Sequence, residues 1–199
     1  MNTNSDIPYE FQKSIFPDYI RITTANAVIN SQYVERVLNG ICIVLQTKGL
    51  RFTIDDFMSG DSKRTRQTLG MIKKQLNDTE LLNPSFIERL TQFTQRRNRL
   101  VHGLFADTFS SQAEISIECP KALSYMEECE WIANEASELV EVSFGIYHVL
   151  ANILFVERYD SDLLTHLVNE FNEFQELGLN AVTNNVTPDL IEHRWSEQD

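Results

Sequence analysis

The sequence predicts an all-α fold, a bundle of about five helices. Three observations carry that expectation. The 199 residues include only 7 Gly and 5 Pro, so few breakers interrupt long helices and few turns are on offer for an all-β design. Apolar residues recur at three- and four-residue steps along much of the chain, the period of one helical face. Hydrophobic residues make up 42% and charged residues 23%, near the globular average, and a chain of this length buries a real core.

The elements follow in order. Over residues 18–46, Ile22, Ala25, Ile29, Tyr33, Arg36/Val37 and Ile41/Val44 keep helical spacing, and Gly49 fits a stop. Residues 54–57 read as a short turn and 59–62 as a loop. A second helix over 64–76 has Leu69, Ile72 and Leu76 as its apolar stripe, and residues 77–80 break it. Asn83 and Pro84 then form a start signal, a capping residue followed by one suited to the first helical position. That third helix runs over 85–103. Glu114, Ile115, Ser116 and Ile117 alternate, so a short extended segment or loop is expected near 112–118. A long helix over 121–158 is acidic in its first half, with Glu127, Glu128, Glu130, Glu135, Glu138 and Glu141, and apolar in its second. A last helix over 161–177 completes one domain, residues 1–177, and leaves 178–199 as a polar tail.

Net charge is −12, and an acidic protein is a poor non-specific binder of nucleic acid, whose phosphates attract cations. Yet residues 48–99 hold 11 Lys and Arg against 6 Asp and Glu, a local balance of +5. Lys63, Arg64, Arg66, Lys73 and Lys74 either form a basic surface or are the wet side of one helix. Cys42, Cys119 and Cys129 are odd in number and lack close pairing, which points to reduced thiols in a cytoplasm rather than to a disulfide framework or a zinc site. Met1, Asn2, Thr3, Asn4, Ser5 and Asp6 form a polar start, so no secretory signal is expected. Residues 139–156 are the most apolar stretch, but Glu141 and His148 interrupt them. A buried core helix is expected there, not a membrane span. No glycine-rich phosphate loop or nucleophile elbow is present, and no carboxylate–histidine cluster calls for a metal, so no cofactor is expected.

The third helix carries the chemistry. Phe86, Leu90, Phe93, Leu100 and Leu104 share a stripe, and Arg97 falls in its phase. A permanent charge so placed needs a partner. Asn98 and His102 are four apart and share a face. At about 100° per residue, Arg97 and His102 point about 140° apart. They flank a site on one helix, and two copies related by a dyad can converge into one site.

The string Arg97-Asn98-Arg99-Leu100-Val101-His102-Gly103 resembles the R-x4-H motif of the HEPN superfamily, whose commonest form begins Arg-Asn and ends in His near the end of a helix. The long helix that follows agrees, and Thr68-Leu69-Gly70-Met71-Ile72 resembles a Thr-Leu-Gly segment upstream of the motif in some prokaryotic members. The resemblance implies a helical bundle that dimerises through its motif helices. For many members it implies a metal-independent endoribonuclease of a toxin–antitoxin, phage-defence or RNA-processing system, with RNA and an antitoxin protein as partners. In that reading His102 is the general acid or base, Arg97 holds the phosphoryl oxygens, Asn98 orients His102 or binds a phosphate oxygen, and Arg96 and Arg99 neutralise neighbouring phosphates. The chemistry is coherent: RNA brings its own nucleophile, imidazoles move protons near neutral pH, and a guanidinium fork meets charge building on phosphorus. In one respect the chain departs from the family. Some HEPN toxins carry a modifiable tyrosine two residues after the histidine, where this chain has Leu104 and then Phe105.

Without the resemblance, each residue has a plainer role. His102 interacts with the last helical carbonyls, and Arg97 forms an ion pair with a glutamate of the acidic helix. The second functional reading is therefore a non-catalytic module that binds a protein partner or a nucleotide. A DNA-mimicking acidic surface between Glu127 and Glu141 is a third. His148 is expected as a hydrogen-bonded core residue, and His166 and His193 on the surface. Trp131 and Trp195 are too few for a stacking platform, and Glu35 and Arg36 receive no role.

Overall fold

Scarce glycine and proline let helices run long in the computed structural model, an all-α helical bundle that describes residues 9–47, 68–110, 115–156, 162–183 and 186–187. The order is α1 (Tyr9–Thr47), α2 (Leu69–Asp78), α3 (Pro84–Arg99), a π turn (Leu100–Leu104), α4 (Phe105–Thr108), α5 (Pro120–Val156), α6 (Asp162–Glu170), a 3-10 turn (Asn172–Phe174) and α7 (Gln175–Ala181). Gly49, the turn at 54–57, the loop at 59–62, Lys63, Arg64, Arg66, His193 and Trp195 lie outside the described residues. Contacts divide the chain into two compact units, Met1–Ser31 with Gln95–Ala136 and Gln32–Thr94 with Ser137–Asp199.

The unit Gln32–Thr94 with Ser137–Asp199 holds a dense core. Leu38 and Ile41 of α1, Leu69, Ile72 and Leu76 of α2, Leu90 and Phe93 of α3, and Leu139, Ile146 and Leu150 of α5 are all buried. Each such side chain contributes about 1.5–3 kcal/mol by leaving water. The first turn of α2 is doubly satisfied: Thr68 Oγ1 accepts from the Met71 N–H at 3.4 Å, and Glu35 Oε1 accepts from the Leu69 N–H at 2.6 Å. A carboxylate at the positive end of a helix is favourable, and this is the role the sequence did not disclose for Glu35. The helix stops as expected near residue 78, where the Thr79 hydroxyl donates to Leu76 O at 2.6 Å and Glu80 takes φ 54°.

Pro84 opens α3 as expected, but Asn83 works differently. Its side-chain amide donates to Asn180 O at 2.6 Å and Val182 O at 3.1 Å. Leu82 forms an isolated antiparallel bridge with Val182. The chain through Thr183 therefore belongs to this unit, and no polar tail begins at 178. Two contacts explain the path. Phe171 leaves the helix to stack on Phe144 with centroids 4.4 Å apart, which splits the expected helix over 161–177. Gly178 then meets Gly145 so closely that a Cβ on either would enter the backbone of the other. In the apolar half of α5, Tyr147 donates to Val37 O. His148 is the expected core residue, with Nδ1 3.0 Å from Val168 O and Nε2 2.9 Å from the Asn152 amide. No helix among the described residues is long and apolar enough to cross a membrane.

The unit Met1–Ser31 with Gln95–Ala136 is built differently. In α1 the buried positions are Phe16, Ile20, Thr23, Ala27 and Ser31, and in α5 they are Ala122, Tyr125, Cys129, Ile132 and Ala136. Thr24 Oγ1 meets the Tyr125 hydroxyl at 3.0 Å. The sequence stripe of Ile22, Ala25, Ile29 and Tyr33 does mark a helix, but all four are exposed; the helix buries its other side. Over its described part the segment near 112–118 is a turn rather than a strand, closed by Cys119 N–H to Ser116 O at 2.9 Å. Cys42 and Cys129 are buried, Cys119 is half-buried, and all three are free.

Candidate functional site

The end of α3 gathers three cations, Arg96, Arg97 and Arg99, in its last turn, where positive charge suits the negative end of the helix. Arg96 is engaged with α5. Its guanidinium lies 3.9 Å above the Trp131 ring and donates to Glu128 Oε2 at 2.8 Å. Residue-by-residue reading expected an ion pair with the acidic helix of Arg97; Arg96 makes one as well as its ring contact. Glu128 and Trp131 are three apart, hence on one face of α5. That spacing is legible in the sequence once Arg96 is known to need a seat.

Arg97 is half-buried, as its phase within the apolar stripe requires, and its Nη1 donates to Asn98 Oδ1 at 3.1 Å. Asn98 itself is exposed. The helix then widens into the π turn, with Leu100 buried, Val101 and His102 exposed, and a non-helical kink at Gly103 (φ 165°, ψ −8°). Gly103 breaks the helical path directly after His102, so the chain turns where the motif ends. Arg97 and Asn98 are brought together, and His102 stands free of hydrogen bonds to either among the described contacts.

Arg99 is exposed and lines a cleft of about 350 Å³ with Asp107, Thr108, Lys121, Ser124 and Glu128. Two cations and two carboxylates share it, so phosphate would be held there by Arg99 and Lys121 against local repulsion. Lys121 was not singled out by sequence. Below the cleft, Phe105, Phe109 and Tyr125 pack as a triad with centroids 4.9, 5.7 and 5.3 Å apart. That packing holds α4 in place after the π turn. Burial pushes the Tyr125 hydroxyl above the ordinary phenol range against the lowering effect of Thr24, so it remains a donor.

In the other unit a cavity of about 600 Å³ opens beside His148, Asn152, Asn172 and Gln175. Both ring nitrogens of His148 are already engaged, which makes it structural. No group of three or more His, Cys, Asp or Glu among the described residues is placed to hold a metal ion. No protein-family model matches the chain, and no significant similarity to a curated protein or a solved structure is found.

Proposed function

We propose that this chain is a metal-independent endoribonuclease of the HEPN type, working as a homodimer in a bacterial toxin–antitoxin, phage-defence or RNA-processing system in the cytoplasm. The observation that supports it most is the setting of the motif: Arg97 and Asn98 hydrogen-bonded at the end of α3, and exposed His102 carried by the π turn next to them. Such turns are frequent at functional sites, and here the kink at Gly103 turns the chain directly after His102.

In the proposed reaction the RNA 2′-oxygen attacks the adjacent phosphorus while its proton passes to one imidazole. The 5′-oxygen leaves with a proton from the second imidazole, supplied by the other copy. The products are a 2′,3′-cyclic phosphate and a 5′-hydroxyl. Arg97 holds the non-bridging oxygens as charge grows, and Asn98 sets the plane of its guanidinium. Arg99 with Lys121 neutralises a neighbouring phosphate, and Arg96 steadies the helix. A second reading, a non-catalytic module that binds a protein or nucleotide, is favoured by the isoleucines and tyrosines left open along α1.

Labelled RNA incubated in EDTA with wild type, His102→Ala and Arg97→Ala separates the two. The expected outcome is cleavage by wild type to cyclic phosphate ends, reduced at least about 100-fold in either variant. Equal cleavage by the variants removes the proposal. No cleavage of a mixed RNA pool by any of the three proteins favours the interaction module.

A further inference from the structure

Opposite its buried side, α1 carries a second apolar stripe: Ile15 (40% exposed), Tyr19 (47%), Ile22 (58%), Ile29 (60%) and Tyr33 (49%), with exposed Asn26 between the two central isoleucines. Positions 15, 19, 22, 26, 29 and 33 alternate steps of four and three, the repeat of a seam between two helices. Scattered exposed apolar residues are ordinary. Five apolar side chains at six consecutive seam positions form a patch that marks an interface. The Tyr19 hydroxyl donates to Glu130 at 3.1 Å, which leaves the ring as its outward part.

Four properties of the stripe select its occupant. The first is its order. Tyr19-Ile22-Asn26-Ile29-Tyr33 reads nearly the same from either end, with a tyrosine seven residues to each side of Asn26. A two-fold contact demands such self-complementarity, because each residue meets the same surface reversed. The second is the polar centre. A single asparagine in an otherwise apolar seam fixes register and the number of helices, at some cost in stability. A carboxamide both donates and accepts, so two copies of Asn26 across a dyad satisfy each other. Ala25 beside it is small enough to let two backbones approach. The third is charge. Over residues 14–34 the only ionised side chains are Asp18 and Arg21, which pair with each other at 2.8 Å. In a chain of net charge −12, the stripe's own helix adds little repulsion between copies, and Glu130 borders it only beside Tyr19. Antiparallel crossing at Asn26 also sets the two copies of Asp18 about 24 Å apart along the axis, whereas a parallel pair would oppose them. The fourth is area. Side chains of about 200 Å² exposed to these extents leave on the order of 500 Å² open per copy. Two copies bury roughly 1,000 Å², the floor for a specific interface.

We infer that the protein self-associates through this face, with α1 of a second copy crossing antiparallel at Asn26. The inference rests on the homodimer of the ribonuclease reading and names the face through which its copies meet; a dimer through this face with no cleavage of RNA overturns that reading alone, and a dimer that survives the double substitution below overturns this inference alone. Sedimentation of the full chain from low to high micromolar concentration is expected to show a dimer for wild type. Ile22→Glu with Ile29→Glu should give a monomer with unchanged circular dichroism and melting, because both side chains are open to solvent. Asn26→Asp is nearly isosteric but sets two carboxylates against each other at the dyad, and should weaken the dimer at least about tenfold at neutral pH. In a Cys119→Ser background, Asn26→Cys is expected to form a covalent dimer under mild oxidation. Ile15→Cys is expected not to, because antiparallel crossing holds the two copies of that position about 33 Å apart. A monomeric wild type, or a dimer that survives the double substitution, overturns the inference. Cross-linking at Ile15, or an Asn26→Asp dimer as tight as wild type, overturns the antiparallel crossing at Asn26.

Discussion

Gln32–Thr94 with Ser137–Asp199 keeps most of its large apolar side chains inside, whereas Met1–Ser31 with Gln95–Ala136 leaves Ile15, Tyr19, Ile22, Ile29, Val101 and Phe105 open. The first region is held by burial and by backbone contact at Gly145 and Gly178. The second relies on polar and aromatic seats, Arg96 on Trp131 and Glu128, and Phe105 and Phe109 on Tyr125. Arg97, Asn98 and His102 all lie in the second. Stability and surface chemistry are thus divided between regions, although α1 and α5 run through both. A region that must present side chains to partners cannot also bury them, and it is expected to tolerate change more easily.

The largest expected effect tests that tolerance. A Cβ at Gly178 runs into the Gly145 backbone, which has no room to yield, whereas a Cβ at Gly103 meets only the Asp107 carboxylate, 3.5 Å away. Gly178→Ala should therefore cost about 3 kcal/mol or more in urea denaturation. Gly103→Ala should stay within about 1 kcal/mol. Equal losses at the two positions would break the contrast between the regions.

Alkali probes the dense region next. Burial pushes the Cys42 thiol up to about 12 from its ordinary 9.0, and pushes the fully buried Tyr147 hydroxyl well up also. These folded-state values are raised above those of the unfolded chain. Their contribution is complete below about pH 9 and is lost as pH climbs toward 12, because the unfolded chain gives up its protons first. Each group removes up to about 1.4 kcal/mol per pH unit in that window. Denaturation midpoints should be flat below pH 9 and fall above it, with a shallower fall in Cys42→Ala. A midpoint that holds steady to pH 11 would show that water reaches Cys42. At pH 8, thiol reagents should modify half-buried Cys119 before Cys42.

Helices were legible in the sequence where periodicity and local signals agreed. Leu69, Ile72 and Leu76 lie inside α2, Pro84 opens α3, and His148 is in the core. Which way a helix faces was less legible. Phe16, Ile20, Ala27 and Val34 keep a helical period on α1 just as Ile22, Ile29 and Tyr33 do, and a period fixes spacing, not the side that meets the core. The contact of Gly145 with Gly178 was invisible because a helical glycine carries no side-chain signal, only a freedom that distant backbone exploits. At the site, the residue types were readable and their division of labour was not. Adjacent arginines differ by only about 100° on a helix, so the acidic helix announces a partner without saying that Arg96 takes Glu128. The π turn was hidden too, since Val101, His102 and Gly103 read as an ordinary helix end.

The smallest effects bear on that division of labour. If Arg96 is an anchor and Arg99 a phosphate contact, their substitutions should separate cleanly. Arg96→Ala removes a half-exposed ion pair and a cation–π contact, so it should lower stability by about 1 kcal/mol. It should leave the salt dependence of RNA binding unchanged. Arg99→Ala, an exposed side chain at the rim of the cleft, should change stability by less than about 0.5 kcal/mol. It should reduce the slope of log K against log salt by about 0.7, the value of one single-stranded phosphate. Reversed outcomes would place the phosphate over Trp131, and the polar seat of the motif helix would then lie with Arg99 among Asp107 and Glu128.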